Sequence, residues 1–373
     1  MNICLLGASG SIGKQTLDVI NKNPQDFTLV AFSVGQRTRC ISNILQKHDK
    51  VTDVYLLDKK KVKYYQHKYP NVRFCCDNIT RVITQSDNDM VVNALVGFVG
   101  LVPSITAIKN HKKLALANKE SLVVGGDLIN SLLKEYNGEL YPIDSEHSAL
   151  WKCLKVDDKD VDRLVLTASG GAFRSLSRDQ LKDVTPEDAL KHPTWKMGNK
   201  ITIDCATMMN KGFEIIEAWY LYHYPLDQIE IKMHDESLVH SAVMLNDDSL
   251  IVDYGKPDMH NPIAWAMFEG KIDYEVLKIK SFDELKDCHF HEYDPKRYPC
   301  TELAKKALVC AASKMIALNA ANEVAVNKFL NDEIKFTDIE KIVKKVVDQT
   351  PIVYKPTLKQ IKKIDKVSRK AAM

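Results

Sequence analysis

The chain predicts a multidomain α/β protein that opens with a parallel, doubly wound sheet, and three observations carry that prediction. A strand-like run, Asn2 to Leu6, enters Gly7-Ala-Ser-Gly-Ser-Ile-Gly13 and then the amphipathic Lys14 to Ile20 segment. Strand, glycine turn and helix in that order offer backbone N–H groups and a helix N-terminus to a pyrophosphate. Further strand candidates, Phe27 to Ser33, Asp53 to Leu57, Met90 to Ala94 and Lys113 to Leu116, alternate with helix-like segments, the pattern of a parallel sheet. Finally, 373 residues at 45% hydrophobic content are enough for about two or three cores.

Several classes are disfavoured at once. Met90 to Ile108 carries no charge, but Gly97, Gly100 and Pro103 punctuate it as strand, turn and helix start, so no membrane span is expected. A strand at the very N-terminus leaves no room for a targeting peptide in this sequence, and the expected location is the cytoplasm, or an organelle stroma if a transit peptide has been removed. Nine cysteines without a C-x-x-C pair read as reduced, small apolar residues. A net charge of +3 is too slight and too evenly spread to indicate nucleic acid. The run Lys59-Lys-Lys-Val-Lys63 reads as a solvated helix face.

Taken in order, the glycine turn has a first gap one residue longer than the usual dinucleotide fingerprint. At the end of the second strand, where a protein specific for NAD carries an acid, the sequence is Ser33-Val-Gly-Gln-Arg-Thr-Arg39. Arg37 suits a 2′-phosphate, which favours NADP. Ala117-Asn-Lys-Glu-Ser-Leu122 follows the Lys113 strand at its carboxyl end, where open α/β sheets bind ligands. Lys119 there can donate to a developing oxyanion.

The short apolar run Leu140 to Ile143 reads as a buried strand leading into Asp144-Ser-Glu146, and two carboxylates one residue apart on extended backbone project to the same side. A third acid, Glu214, lies in Met208-Met-Asn-Lys-Gly-Phe-Glu214, where Gly212 is expected to turn the chain into a Phe213 to Leu221 helix. Three converging acids require a divalent cation, and all-oxygen ligation favours magnesium or manganese.

Beyond these, Arg163 to Ala168 reads as a strand ending in Ser169-Gly-Gly171, a small-residue turn suited to phosphate. Ala189 to Asn199, broken by Pro193 and Gly198 and carrying His192 and Trp195, fits a loop that closes over substrate and expels water. Asn210, Lys211 and Glu214 concentrate amide, ammonium and carboxylate within one turn.

The segments LANKESLV, PIDSEH, SGGAFR, HPTWKMG, ATMMNKGFE and GKPDM, in this order, make the chain resemble the 1-deoxy-D-xylulose 5-phosphate reductoisomerases. These enzymes use NADPH and a divalent metal to form 2-C-methyl-D-erythritol 4-phosphate in non-mevalonate isoprenoid synthesis. The resemblance implies a Rossmann-like NADPH domain over 1–143 and an α+β catalytic and dimerisation domain over 144–270 with mobile loop 189–199. It further implies a linker over 271–294, a C-terminal α-helical bundle over 295–373, and a homodimer.

Position by position, it implies that Asp144, Glu146 and Glu214 hold the metal, and that Ser169, Asn210 and Lys211 hold the phosphate or neighbouring hydroxyls. His192 and Trp195 belong to the closing loop, while Lys119 and Ser145 touch the reacting end. Ser9, Gly10, Ser11, Ile12, Gly35, Gln36, Arg37, Asn118, Glu120 and Gly198 would line NADPH. Lys119, Glu146 and His192 are the catalytic candidates.

This chain departs from the family at three places. Cys205 stands where a serine binds phosphate, and a thiol is the weaker donor. His234-Asp-Glu-Ser237 replaces the usual His-Pro-Gln-Ser, and Gln36 replaces a frequent lysine. Two rival readings remain. An NADP dehydrogenase with Cys205 as nucleophile needs a partnered histidine and has no use for the acidic trio. A non-catalytic NADP-binding module needs only the glycine turn.

Overall fold

The alternation of strand and helix is realised in a computed structural model that describes residues 1–158, 160–195, 197–271 and 286–373. Its internal contacts divide it into two units. The first holds Met1–Asn118, Ile129–Asp144 and the segment from Met259; the second holds Lys119–Leu128, Ser145–Asp258 and, among the described residues, everything after residue 285. Of the linker expected over 271–294, residues 272–285 lie outside the described residues, as does Lys196 of the loop.

The first unit contains β1 (Asn2–Leu6), α1 (Ser11–Lys22), β2 (Thr28–Val34), α2 (Cys40–Lys47), β3 (Asp53–Leu56), α3 (Lys59–Lys68) and β4 (Arg73–Cys75). It continues with α4 (Arg81–Thr84), β5 (Met90–Asn93), α5 (Leu101–Lys109), β6 (Lys113–Leu116) and, after α6 (Lys119–Glu135), β7 (Leu140–Pro142). Its seven strands run in the order β4-β3-β2-β1-β5-β6-β7, and every pairing is parallel. Such strands are covered on both faces and therefore read as nearly continuous apolar runs; Ile3 to Leu6 and Met90 to Val92 are wholly buried. The winding reverses at β1, between β2 and β5, so the carboxyl ends of these strands frame the crevice where ligands bind in such sheets.

The second unit begins with α7 (Ser145–Val156), β8 (Val161–Ala168), α8 (Pro186–Ala189), α9 (Asn199–Thr207), α10 (Met209–Tyr222), β9 (Ile229–Met233), β10 (Val239–Leu245) and β11 (Leu250–Tyr254). Helix α11 (His260–Met267) packs on α1 and β7 of the first unit, although the expected boundary at 270 leaves it with the central domain. The chain ends with β12 (His291–Glu292), α12 (Pro299–Cys310), α13 (Ala312–Leu330), α14 (Asp338–Gln349) and α15 (Leu358–Ala372). The second sheet is mixed, in the order β11-β10-β8-β9-β12, and only β8 and β9 pair parallel. No helix among the described residues is long and apolar enough to cross a membrane.

Two local expectations are corrected. The strand before Asp144 ends at Pro142 and α7 starts at Ser145, so Asp144 and Glu146 flank a helix start rather than alternate along extended backbone. Gly212 does not turn the chain: it lies inside α10, and the turn is made by Met208, left-handed at φ 59°, between α9 and α10. Thr301 of α12 donates to the Met208 carbonyl at 2.7 Å, fixing that corner. Gly212 is small because α12 approaches it: a Cβ there would sit 2.6 Å from that of Ala304.

Replacing an interior helical glycine by alanine ordinarily stabilises by about 0.8–1 kcal/mol. At Gly212 the sign should reverse, with Gly212→Ala losing about 1–3 kcal/mol through overpacking, read from the denaturation midpoint. An unchanged or raised midpoint would show that α12 does not constrain this position.

Candidate active site

The crevice of the first unit is built by backbone. Gly7 adopts φ 88°, its amide donates to Ser33 Oγ at 2.9 Å, and Ala8 N–H donates to the Ser33 carbonyl at 2.9 Å. A Cβ on Gly7 would lie 2.6 Å from the Ala94 carbonyl oxygen and one on Gly13 2.2 Å from that of Gly7, so no larger residue fits either place. Gly10 precedes α1 without a side-chain cap, leaving the first-turn amides of Ser11 and Ile12 to a ligand or solvent. Ser9 and Ile12 are half-buried and Ser11 is exposed.

Past β2, Gly35 is half-buried while Gln36 and Arg37 are exposed. Helix α3 pins this loop: Lys61 Nζ donates to Thr38 Oγ1 at 2.8 Å and Tyr65 OH to the Thr38 carbonyl at 2.8 Å. One lysine of the basic run thus stands beside the segment carrying Arg37 and Arg39. The Asn118 side-chain amide donates to the carbonyls of Leu95 and Gly97 at 3.0 and 2.9 Å, shaping the turn after β5.

In the second unit α6, α7 and α10 bring the charged groups together. Lys119, the first residue of α6, donates from Nζ to Asn210 Oδ1 at 2.7 Å and to Glu214 Oε1 at 3.0 Å. Lys211 Nζ donates to Glu146 Oε1 at 2.8 Å and also pairs with Glu214. Ser145 Oγ donates to Glu146 Oε2 at 2.5 Å, and the Asn210 amide donates to Glu214. Glu214 is wholly buried and Lys211 is 3% exposed. Burial opposes the charge on Glu146, but Lys211 and then Lys119 overcome it and hold this carboxyl at about 2. Burial likewise opposes the Lys211 charge, and Glu146 and Glu214 keep its ammonium above the ordinary range.

Asp144 is the residue at which the chain passes into α7. One carboxylate oxygen each from Asp144, Glu146 and Glu214 lies within 4.8 Å of the others. Three hard oxygen donors at that spacing, without thiolate or imidazole among them, fit magnesium or manganese.

Of the phosphate candidates, Ser169 stands at the end of β8 beside His192, while Asn210 and Lys211 lie in the charged cluster on α10. Gly170 and Gly171 are both left-handed, at φ 78° and 69°, and this folds Ser169 Oγ back to within 3.4 Å of the Gly171 amide. His192 Nδ1 accepts N–H bonds from Thr194 and Trp195 at 3.3 and 3.0 Å, which assigns the ring proton to Nε2, 3.3 Å from Ser169 Oγ. Burial, then Arg174, pushes this imidazole down to about 4, so it is neutral near pH 7. Trp195 lies 6.1 Å, ring to ring, from His240. Ser237, in the divergent His234-Asp-Glu-Ser237 turn, holds the loop through Thr194 at 3.1 Å.

Cys205 is half-buried on α9. Burial and the Glu214 carboxylate push its thiol well above the usual range, the opposite of what a nucleophilic cysteine needs. Gly198 precedes α9 with open space around it. Glu120 is buried with its carboxylate 2.6 Å from Lys200 Nζ.

Residues that sequence reasoning missed are Lys61, Lys200, Ser237 and the buried pair His147 and Glu217, whose Nε2 and Oε2 are 3.1 Å apart. The last had a signal: His147 adjoins Glu146, and Glu217 follows Glu214 by one helical turn.

Three family models match in chain order: 1-deoxy-D-xylulose 5-phosphate reductoisomerase over residues 3–126, its C-terminal domain over 140–222, and the DXP reductoisomerase C-terminal domain over 254–371. The 1-deoxy-D-xylulose 5-phosphate reductoisomerase of Macrococcus caseolyticus is 42% identical over 98% of this chain and 97% of its own. The corresponding enzyme 2 of Bacillus thuringiensis subsp. konkukian is 41% identical over 100% and 99%. Among solved structures, a DOX-P reductoisomerase in complex with NADPH, fosmidomycin and magnesium superposes with a TM-score of 0.91 at 32% identity, covering 100% of this chain and 97% of that one. The Zymomonas mobilis enzyme in complex with NADPH gives 0.90 at 33%, with the same coverage. The chain belongs to the 1-deoxy-D-xylulose 5-phosphate reductoisomerase family.

Proposed function

We propose that this chain converts 1-deoxy-D-xylulose 5-phosphate to 2-C-methyl-D-erythritol 4-phosphate with NADPH, in non-mevalonate isoprenoid synthesis. The observation that carries the reading is the buried cluster in which Lys119, Asn210 and Lys211 meet Glu146 and Glu214. The reaction moves a carbon–carbon bond of a ketose phosphate and reduces the aldehyde formed; NADPH supplies the hydride, and a dication held by Asp144, Glu146 and Glu214 would polarise the carbonyl and adjacent hydroxyl.

The chain's own groups do the positioning. Lys119 and Ser145 face the reacting oxygens, and the Lys119 ammonium can stabilise an oxyanion as it develops. Ser169, Asn210, Lys211 and Cys205 grip the phosphate end and its neighbouring hydroxyls, and this remote binding energy aligns the reacting carbons. His192 and Trp195 close loop 189–199 over the substrate. Neutral His192, donating from Nε2 toward Ser169, adds no positive charge of its own and serves as a hydrogen-bond donor. The glycine turn of Ser9, Gly10, Ser11 and Ile12 takes the pyrophosphate of NADPH, Gly35, Gln36 and Arg37 take its ribose phosphate, and Asn118, Gly198 and the backbone of Glu120 complete its site, the Glu120 carboxylate being held by Lys200.

We also assign a cytoplasmic homodimer. Leu250 and Val252, two residues apart on β11, leave 53% and 43% exposed apolar side chains on one face of the mixed sheet, and a contiguous apolar surface favours a covering partner.

NADPH oxidation followed by absorbance should require 1-deoxy-D-xylulose 5-phosphate, stop with EDTA and return with magnesium or manganese. Glu146→Gln should lower kcat about 10²-fold or more, the scale of lost charge stabilisation in an active site, with NADPH affinity little changed; near-wild-type turnover at saturating metal would remove Glu146 from the ligand set. For the cofactor, Arg37→Ala should raise the KM for NADPH about tenfold, the worth of a charge-assisted bond to phosphate, and leave that for NADH unmoved. Equal constants for the two cofactors in the unsubstituted protein would refute the arginine reading. Cys205→Ser should lower the substrate KM about tenfold by restoring a stronger donor; an unchanged or raised constant would place the thiol outside the phosphate grip.

A further inference from the structure

The closing of loop 189–199 proposed above needs an anchor at its downstream end, where Lys200 stands in the first turn of α9. Helix α9 begins at Asn199, directly after Gly198. Lys200 Nζ lies 2.6 Å from Glu120 Oε1 and 2.9 Å from Asp204 Oδ2, and 5.1 Å over the ring of Phe213. The second oxygen of Asp204 accepts from Asn322 Nδ2 of α13 at 2.8 Å. The Lys200, Glu120 and Asp204 side chains are 18%, 8% and 2% exposed, and Asn322 is wholly buried. One ammonium therefore joins α6 to α9, rests on α10, and is braced through Asp204 by the C-terminal helices.

The tie is placed where it matters for the reaction. Glu120 follows Lys119, whose ammonium binds Asn210 and Glu214, and Phe213 precedes Glu214. A shift of the first turn of α6 against α9 would carry Lys119 off those partners. Burial opposes the Glu120 charge, but Lys200 more than offsets it and keeps the carboxyl below its ordinary range. A buried ion pair of this kind adds little net stability against an apolar replacement, so its use lies more in fixing register.

We propose that Lys200 is a positioning residue of the reductoisomerase reaction: its bond to Glu120 locks the hinge end of loop 189–199 to the turn that presents Lys119. Glu120 then acts through Lys200 as part of one latch. This rests on the function proposed above, and turnover by the unsubstituted protein, measured first in the assay described there, separates failure of that reading from failure of the latch.

A double-mutant cycle on the full chain tests it, with Lys200→Met, Glu120→Gln and their combination. Both kcat and Tm are measured, the kinetics at a temperature where circular dichroism shows every variant folded. The latch predicts that each single change lowers kcat at least tenfold and that the double variant is no slower than the slower single. Effects that multiply, or coupling seen in Tm while kcat in the folded variants stays within twofold of wild type, would overturn it. If Lys200→Met does not fold, the charge-preserving cycle of Lys200→Arg and Glu120→Asp takes its place: the latch predicts that the double change recovers at least part of the kcat lost in each single, and independent, multiplying losses would contradict it.

Discussion

The helices that carry the charged cluster of the second unit answer one electrostatic requirement: the wholly buried carboxylate of Glu214 must be compensated. An unpaired charge in such a place would cost several kcal/mol after relaxation. Here it receives the Lys119 and Lys211 ammonium groups and the Asn210 amide. Those donors arrive from the start of α6 and from the preceding turn of α10, so satisfying one charge fixes two helices. Glu146 is drawn in by the same Lys211, which sets α7 against α10, and the buried His147–Glu217 pair repeats that link one turn further along.

The surrounding fold can be understood as what keeps this cluster in place. The left-handed corner at Met208 lets α9 and α10 meet end to end, and Thr301 of α12 closes that corner. Gly212 admits α12 close to α10, and Asn322 of α13 braces α9 through Asp204. The C-terminal helices are thus structural partners of the active-site helices through specific polar contacts as well as apolar packing. The mixed sheet carries Ser169 on a double-glycine turn, and the His234-Asp-Glu-Ser237 turn delivers Ser237 to the loop through Thr194.

Much of this was legible in the sequence because it is local. The parallel strands are short apolar runs bounded by breakers, and β1 and β6 have the limits read from the chain. Gly7 and Gly13 announce a tight approach of backbone to backbone. The strands of the second sheet beyond β8 were less visible, since β9 and β11 interleave charged or exposed positions and β12 is only two residues long. Gly212 was misread because a glycine required by a neighbouring helix looks, in one dimension, like a glycine required by a turn. Lys200, Lys61 and Ser237 were invisible for a related reason: each gains its meaning from a partner 80, 23 or 43 residues away, which spacing cannot reveal. The resemblance to the family supplied the ligand assignments that local pattern alone left open.

In the proposed site Glu214 belongs to a cation-binding trio rather than to a purely structural ion network. Manganese titration followed by electron paramagnetic resonance tests this without turnover. One tight manganese per chain is expected in the unsubstituted protein and at least tenfold weaker binding in Glu214→Gln, with the variant still folded by circular dichroism. Equal stoichiometry and affinity in the two proteins would contradict it.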